Sequence, residues 1–310
     1  MTSPFPATAE ATMPKTPAID WTSALDTSIL KDKSVIVTGG SSGIGLASVE
    51  KLASLGAIVS ILDVQIEAET AAANDLSSKG HKVQFVQCDV SKYESQVAAF
   101  KSAIEFGGGK IDLVVAAAGI VAEKNLFEMA AQSEPSLDIP PPEPGLGGVD
   151  VNLKGVYYSC YLALHYFRLP PPANTTPFKK AIVLIASIAG YIGYPESTTY
   201  SMSKFGVRGL LHIRINLVAP WFIKTSMTMG LREQMNHFGF APIENVIDAV
   251  LRLGADEKVT GRAAIIMPEG NSDLGDDVWD GLAGPTVQKV LGERMGNMMK
   301  AMAAAQQAQQ

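Results

Sequence analysis

The stretch Ser34-Val35-Ile36-Val37-Thr38-Gly39-Gly40-Ser41-Ser42-Gly43-Ile44-Gly45 constrains the fold of this chain more than any other. Its first five residues read as a short buried strand, and Leu46 to Ala53 reads as the helix that follows, with a glycine turn between them. Strand, glycine turn and helix in that order are the context a phosphate-binding loop requires. Glycines let the backbone approach a pyrophosphate closely, and a helix amino end offers unpaired NH groups and partial positive charge. The spacing is Gly-x-x-x-Gly-x-Gly rather than the Gly-x-Gly-x-x-Gly of most dinucleotide folds. Gly39, Ser41, Ser42, Gly43, Ile44 and Gly45 are therefore the candidate contacts to a cofactor. A second strand, Val59-Ser60-Ile61-Leu62, ends at Asp63, eighteen residues after Gly45, where an acidic side chain meets an adenosine ribose.

A second constellation lies in the other half of the chain. Tyr200-Ser201-Met202-Ser203-Lys204 places Tyr200 and Lys204 one turn apart on one helix face, and Ser187 stands thirteen residues upstream of Tyr200. A phenol that ionises near pH 10 must drop roughly three units to act as a base at neutral pH, about 4 kcal/mol. One ammonium at about 4 Å supplies an interaction of that order at an effective dielectric near 20. By itself a Tyr-x-x-x-Lys spacing arises often by chance and is usually an exposed helix face.

Together, Thr38-Gly39-x-x-x-Gly43-x-Gly45, Ser187, Tyr200 and Lys204 resemble the short-chain dehydrogenase/reductase family over about residues 30 to 270. The resemblance implies an α/β fold, a single-domain Rossmann-type doubly wound parallel sheet with helices on both faces. It implies catalytic roles for Ser187, Tyr200, Lys204 and Asn152, with Asn152 holding a water that relays protons behind Lys204; the reading without it makes Asn152 a helix cap. It further implies Asp89 and Val90 beside the adenine, Gly119 at the end of the fourth strand, and Pro220, Ile223 and Thr225 folding over the nicotinamide. Asp89 reads equally as a cap for the helix Ser91 to Phe106. Within the family, Gly155-Val156-Tyr157-Tyr158 and Gly206-Val207-Arg208-Gly209-Leu210 look most like the 15-hydroxyprostaglandin dehydrogenases and the alcohol dehydrogenases of fungal secondary metabolism. The family usually has Asn-Ala-Gly where this chain has Ala117-Ala118-Gly119, so a sheet-bracing asparagine is missing.

The activity implied is NAD-dependent interconversion of a secondary alcohol and a ketone on a hydrophobic small molecule. NAD is favoured over NADP because Asp63 can accept bonds from ribose hydroxyls but would repel a 2′-phosphate. The alternative is a nucleotide-binding sensor or scaffold without turnover.

Composition bounds the rest. A net charge of -6 offers no basic stripe for nucleic acid, and the longest apolar run, Ala181 to Gly193, is too short to span a membrane. No charged amino end precedes a hydrophobic segment, so a cytoplasmic protein is expected. Two cysteines, Cys88 and Cys160, read as buried thiols in a reducing compartment, and four scattered histidines lack the spacing of metal ligands, so no metal is expected. Residues 1–28, rich in Pro, Thr and Ala, read as a disordered arm; 29–270 read as the catalytic domain, ending in the strand Gly261 to Met267; 271–310 read as a partly helical extension. Residues 120–148 carry Pro135, Pro140, Pro141, Pro142 and Pro144 and read as a wall of the substrate pocket. Asp150 to Phe167 reads as a helix.

The segment after Lys204 departs from the family. The helix opens near Ser197, and the next strand, Ile213 to Val218, follows almost at once, with Leu211 and His212 as the turn. Relatives continue about three more turns, whose roughly five buried apolar side chains would contribute about 7 to 15 kcal/mol. The family's helix also packs against its copy in a second subunit, so a homodimer or homotetramer is expected in weakened form. A short coding segment lost from the sequence accounts for the pattern equally well.

Overall fold

The computed structural model describes residues 16–65, 67–121, 125–173, 175–193, 197–211, 214–231 and 239–275. Seven parallel strands form the sheet: β1 Ser34–Thr38, β2 Ile58–Asp63, β3 Val83–Gln87, β4 Leu113–Ala116, β5 Ala181–Ile185, β6 Ile215–Pro220 and β7 Ala263–Met267. They lie in the order β3-β2-β1-β4-β5-β6-β7, and β8 Gly270–Gly275 closes the edge antiparallel to β7. The helices are α1 Gly43–Ser54, α2 Glu67–Ser78, α3 Tyr93–Phe106, α4 Leu126–Ala130, α5 Val156–Tyr166, α6 Thr198–Arg208 and α7 Ile243–Ala255.

Every residue of β1, β4, β5 and β6 is buried, because side chains alternate across a sheet that is covered on both faces. Val35, Val37, Ile61, Val115 and Val183 meet α1 and α7 through Val49, Leu52, Val250 and Leu253 on one face. Ile36, Leu62, Val114, Ile182 and Leu184 meet α3 and α5 through Phe100, Ile104, Cys160 and Leu162 on the other. This is the doubly wound single domain the sequence implied. The strand order reverses between β1 and β4, and the crevice outside the carboxyl ends of the strands opens there.

The structure corrects the boundaries. The sheet continues past Met267 into β8, so the domain reaches Gly275; the remainder of the extension, 276–310, lies outside the described residues. Residues 16–28 are not a free arm. Ile19 is buried, its NH donates to Asp273 at 2.8 Å, and Arg252 donates to the carbonyls of Asp20 (2.6 Å) and Ser23 (3.0 Å). Arg262 pairs with Asp273 at 2.5 Å and donates to the carbonyl of Thr16. Two buried arginines need acceptors, and this polar segment supplies them with its backbone. Residues 1–15 lie outside the described residues.

The expected helix from Asp150 is also different in kind. A helical turn, Gly147–Val149, passes into a π segment, Asp150–Gly155, before α5 begins. Gly155 is the close contact: a Cβ there would lie 2.9 Å from Val90 Cγ2. Helix α3 begins at Tyr93, because Asp89 Oδ1 first accepts from the NH and hydroxyl of Ser91.

Candidate active site

The glycine turn is shaped by close approach. Gly39 has φ +65° and a Cβ there would lie 2.6 Å from Ala118 Cα; on Gly45 it would lie 1.9 Å from the Gly39 carbonyl oxygen. Neither position tolerates a side chain. Gly43, at φ +51°, faces Thr225, so the chain leaving β6 at Pro220 returns over the turn through Ile223. Asp63 stands at the tip of β2, where its carboxylate accepts from the NH of Val64 (2.7 Å) and, more weakly, of Ser41 (3.4 Å). The buried Ser41 hydroxyl has no hydrogen-bond partner among the described residues. An orphaned hydroxyl in a glycine cradle at a helix amino end, with a carboxylate on the neighbouring strand, fits a dinucleotide's pyrophosphate and ribose.

The second constellation gathers at the same crevice. Ser187 stands two residues beyond β5 and caps a short 3₁₀ turn, Ile188–Gly190, its Oγ accepting from the Ala189 NH at 3.1 Å. Helix α6 brings Tyr200 to it, and the phenol and the Ser187 hydroxyl share a hydrogen bond. Lys204, one turn on, is buried; its Nζ donates to the Ile185 carbonyl at 2.8 Å and lies 5.5 Å from the centre of the Tyr200 ring. Asn152 is fully buried in the π segment, where Oδ1 accepts from the Ile120 NH and Nδ2 donates to the Ile120 carbonyl, each at 2.8 Å. Nδ2 also reaches the Ser203 hydroxyl at 3.3 Å, which ties Asn152 to α6. A Cβ on Gly119 would lie 3.4 Å from Asn152 Oδ1 and 3.6 Å from Lys204 Nζ, so its lack of a side chain keeps this corner open.

The electrostatics depart from the sequence expectation. Burial pushes the Tyr200 phenol above its ordinary value, against a smaller downward pull from the Ser187 hydrogen bond. Burial also lowers Lys204 to about 8. The lysine was expected to make the phenol acidic; in the folded protein desolvation penalises the charged forms of both groups.

The sequence matches the family described as short chain dehydrogenase over residues 33–236. The chain belongs to the short-chain dehydrogenases. It is similar to the 5'-hydroxyaverantin dehydrogenase of Dothistroma septosporum, 39% identical over 87% of this chain and 97% of that one. The NADP-dependent dehydrogenase M3 of a Phoma species is 33% identical, covering 88% of this chain and 87% of the other. Among solved structures, 3-hydroxyacyl-CoA dehydrogenase type-2 from Mycobacterium avium superposes with a TM-score of 0.63 at 28% identity, over 77% of this chain and 96% of that chain. This short-chain dehydrogenase is thus an oxidoreductase of alcohols and carbonyls from the fungal secondary-metabolism branch.

The two motifs identified from sequence meet at one sheet edge. Asp89 and Val90 lie at the end of β3, with Val90 locked to the π segment by Gln96, whose Nε2 donates to the carbonyls of Val90 (2.7 Å) and Gly155 (2.8 Å). Sequence reasoning missed Gln96, a polar residue on an ordinary amphipathic helix whose partner across the sheet face is distant in sequence. The Pro-rich segment contains α4 and exposes Phe127, Leu137 and Ile139. Both cysteines are free and buried, and burial raises Cys88 to about 11 and Cys160 to about 12. Among the described residues no group of acidic, His and Cys side chains could hold a metal ion, and no helix is long and apolar enough to cross a membrane.

Proposed function

We propose that this short-chain dehydrogenase converts a secondary alcohol on a hydrophobic small molecule to the ketone, and the reverse, with NAD as its cofactor. The observation that carries the reading is the Ser187 to Tyr200 hydrogen bond beside buried Lys204, facing the same crevice as the glycine cradle. Tyr200 takes the hydroxyl proton as the phenolate, and the Ser187 hydroxyl donates to the alkoxide that develops. Lys204 holds positive charge at the base of the crevice, favouring the phenolate and meeting a ribose hydroxyl. Asn152, braced by Ile120, anchors the proton path behind Lys204. Gly39, Ser41, Ser42, Gly43, Ile44 and Gly45 would hold the pyrophosphate, Asp63 the adenosine ribose, and Asp89 and Val90 the adenine, while Pro220, Ile223 and Thr225 would cover the nicotinamide. Bound NAD supplies the hydride acceptor.

The Phoma relative is named for NADP, so family membership alone leaves cofactor choice open, and the support for NAD is the carboxylate of Asp63 next to the turn. The 5'-hydroxyaverantin dehydrogenase name supports a lipophilic secondary metabolite as the substrate class. Reduction of NAD and of NADP should be followed with a panel of lipophilic secondary alcohols, for the protein and for Tyr200→Phe. Turnover with NAD that Tyr200→Phe abolishes supports the assignment. Dinucleotide binding without turnover across the panel would instead support the sensor, whose case is the short α6.

A further inference from the structure

Helix α6 ends at Arg208, four residues beyond Lys204 and eight beyond Tyr200, so all three share one helical face. The Arg208 guanidinium lies 3.9 Å from the centre of the Tyr191 ring, and Nη1 donates to the Gly190 carbonyl at 2.7 Å. Gly190 and Tyr191 close the 3₁₀ turn that opens at Ser187. The turn rests directly on the helix: a Cβ on Gly190 would lie 2.8 Å from the Lys204 carbonyl oxygen.

From this geometry we infer that Arg208 is a positioning residue, a clamp that holds the turn carrying Ser187 in register with the helix carrying Tyr200. The inference rests on the catalytic reading proposed above. Ser187 and Tyr200 come from different elements, and their hydrogen bond survives only if turn and helix keep their relative position. On one side Ser187 is fixed by β5. On the other, the Ser187 Oγ and carbonyl accept from the NH groups of Ala189 and Gly190, so a displacement of Gly190 is passed straight to Ser187. Arg208 holds that far end through two different interactions of one planar group, a face-on stack and an in-plane donor. A lysine can match the charge but not the combination.

The test uses the full chain with Arg208→Met, Arg208→Lys and Tyr191→Leu. Hydrogen exchange of the Ala189 and Gly190 amides, whose acceptors are Ser187 atoms, should quicken in all three while exchange in β1 and β5 stays slow. Oxidation kcat should fall roughly ten- to a hundredfold with KM little changed, the cost of a small misplacement of one catalytic group. In a Ser187→Ala background the further cost of Arg208→Met should vanish, because the clamp then has no hydroxyl to place. Unchanged exchange at Ala189 and Gly190 overturns the clamp, and equal costs of Arg208→Met with and without the Ser187 hydroxyl overturn its action through Ser187. If Arg208→Met does not fold, Arg208→Lys and Tyr191→Leu carry both measurements. A Tyr200→Phe protein that kept full turnover would strike the catalytic reading alone, since the exchange measurement needs no turnover.

Discussion

Two side chains set the chemistry of the crevice through charge. A 2′-phosphate about 6 Å from the Asp63 carboxylate would meet a repulsion of order 1 to 3 kcal/mol near a protein surface. Asp63→Ala should therefore narrow the preference for NAD over NADP by roughly tenfold or more, and equal affinities in the unmodified protein would sink the charge argument. Lys204 acts in the other direction, as a buried cation. Its folded value of about 8 lies below the 10.5 of an exposed lysine, so the folded protein binds fewer protons than the unfolded chain between those pH values. The cost of burying the ammonium is fully present below pH 8 and is relieved as pH rises toward 10.5. Relative to Lys204→Met, the protein should gain up to about 3 kcal/mol of stability across that window, read from paired urea titrations. In turnover the cation favours the base: its removal from beside the phenol should move the acid limb of the oxidation profile, where the phenolate protonates, to higher pH. An unchanged profile with intact NAD binding would mean that Lys204 does not tune Tyr200.

Helix α6 is as short as the sequence suggested, and the structure shows what takes over its work. Three hydrogen bonds at 3.0–3.1 Å wind Gly209, Leu210 and Leu211 into a tight exit, and Arg214 then enters β6 with φ +56°, a left-handed conformation costly for a residue with a side chain. Its guanidinium donates to the carbonyls of Asp256 (2.7 Å), Val259 (2.7 Å), Gly254 (2.8 Å) and Lys179 (3.0 Å), and its NH to the Thr260 hydroxyl. This one side chain ties the shortened crossover to the end of α7. Arg214→Ala should lower stability by about 2 to 4 kcal/mol, since several charge-assisted bonds are lost and buried carbonyls are left without donors. A midpoint shift at constant denaturant slope would identify the loss as native-state stability, and no shift would show the hub to be dispensable. Inserting a family-like helical segment after Leu211 should raise the melting temperature and the activity together.

Across the whole molecule, stability depends on contacts between the ends of the described chain. Residues 16–23 occupy Arg252, Arg262 and Asp273 and bury their own Ile19, so deletion of residues 1–23 should destabilise the domain by about 3 kcal/mol or more, because buried charged donors lose their acceptors. A truncated chain with an unchanged melting curve would show that water replaces the segment without cost. Self-association follows from the same economy of contacts. Tyr157, Tyr161 and Leu164 on α5 and Met202 and Phe205 on α6 are exposed apolar groups, yet α6 is too short to offer a full helical face. Weak, concentration-dependent association is expected by sedimentation. Cooperative melting above about 60 °C as a stable dimer would mean that other contacts replace the missing turns.

The sequence by itself determined what depends on spacing along the chain. The apolar run, glycine turn and helix from Ser34 to Ser54 specify the cradle, because glycine alone accepts the backbone at Gly39 and Gly45. The four-residue step from Tyr200 to Lys204 puts both on one helix face, because a helix turns once in about 3.6 residues. The resemblance carried by these motifs implied the fold class, whereas the order of the strands in the sheet is read from the structure alone. Tertiary structure alone decided the rest. Ile19 and Asp273 are 254 residues apart, and nothing local in a Pro- and Thr-rich segment reveals that two buried arginines will need its carbonyls. The π segment around Asn152 packs where Val90 approaches Gly155, and beyond the exit from α6 Arg214 reaches the end of α7, and both contacts join parts distant in sequence. The direction of the Tyr200 shift belongs to this second class. A lysine four residues away argues for an acidic phenol, but the dielectric around both groups is set by strands and helices that meet only in the folded protein, and there desolvation prevails.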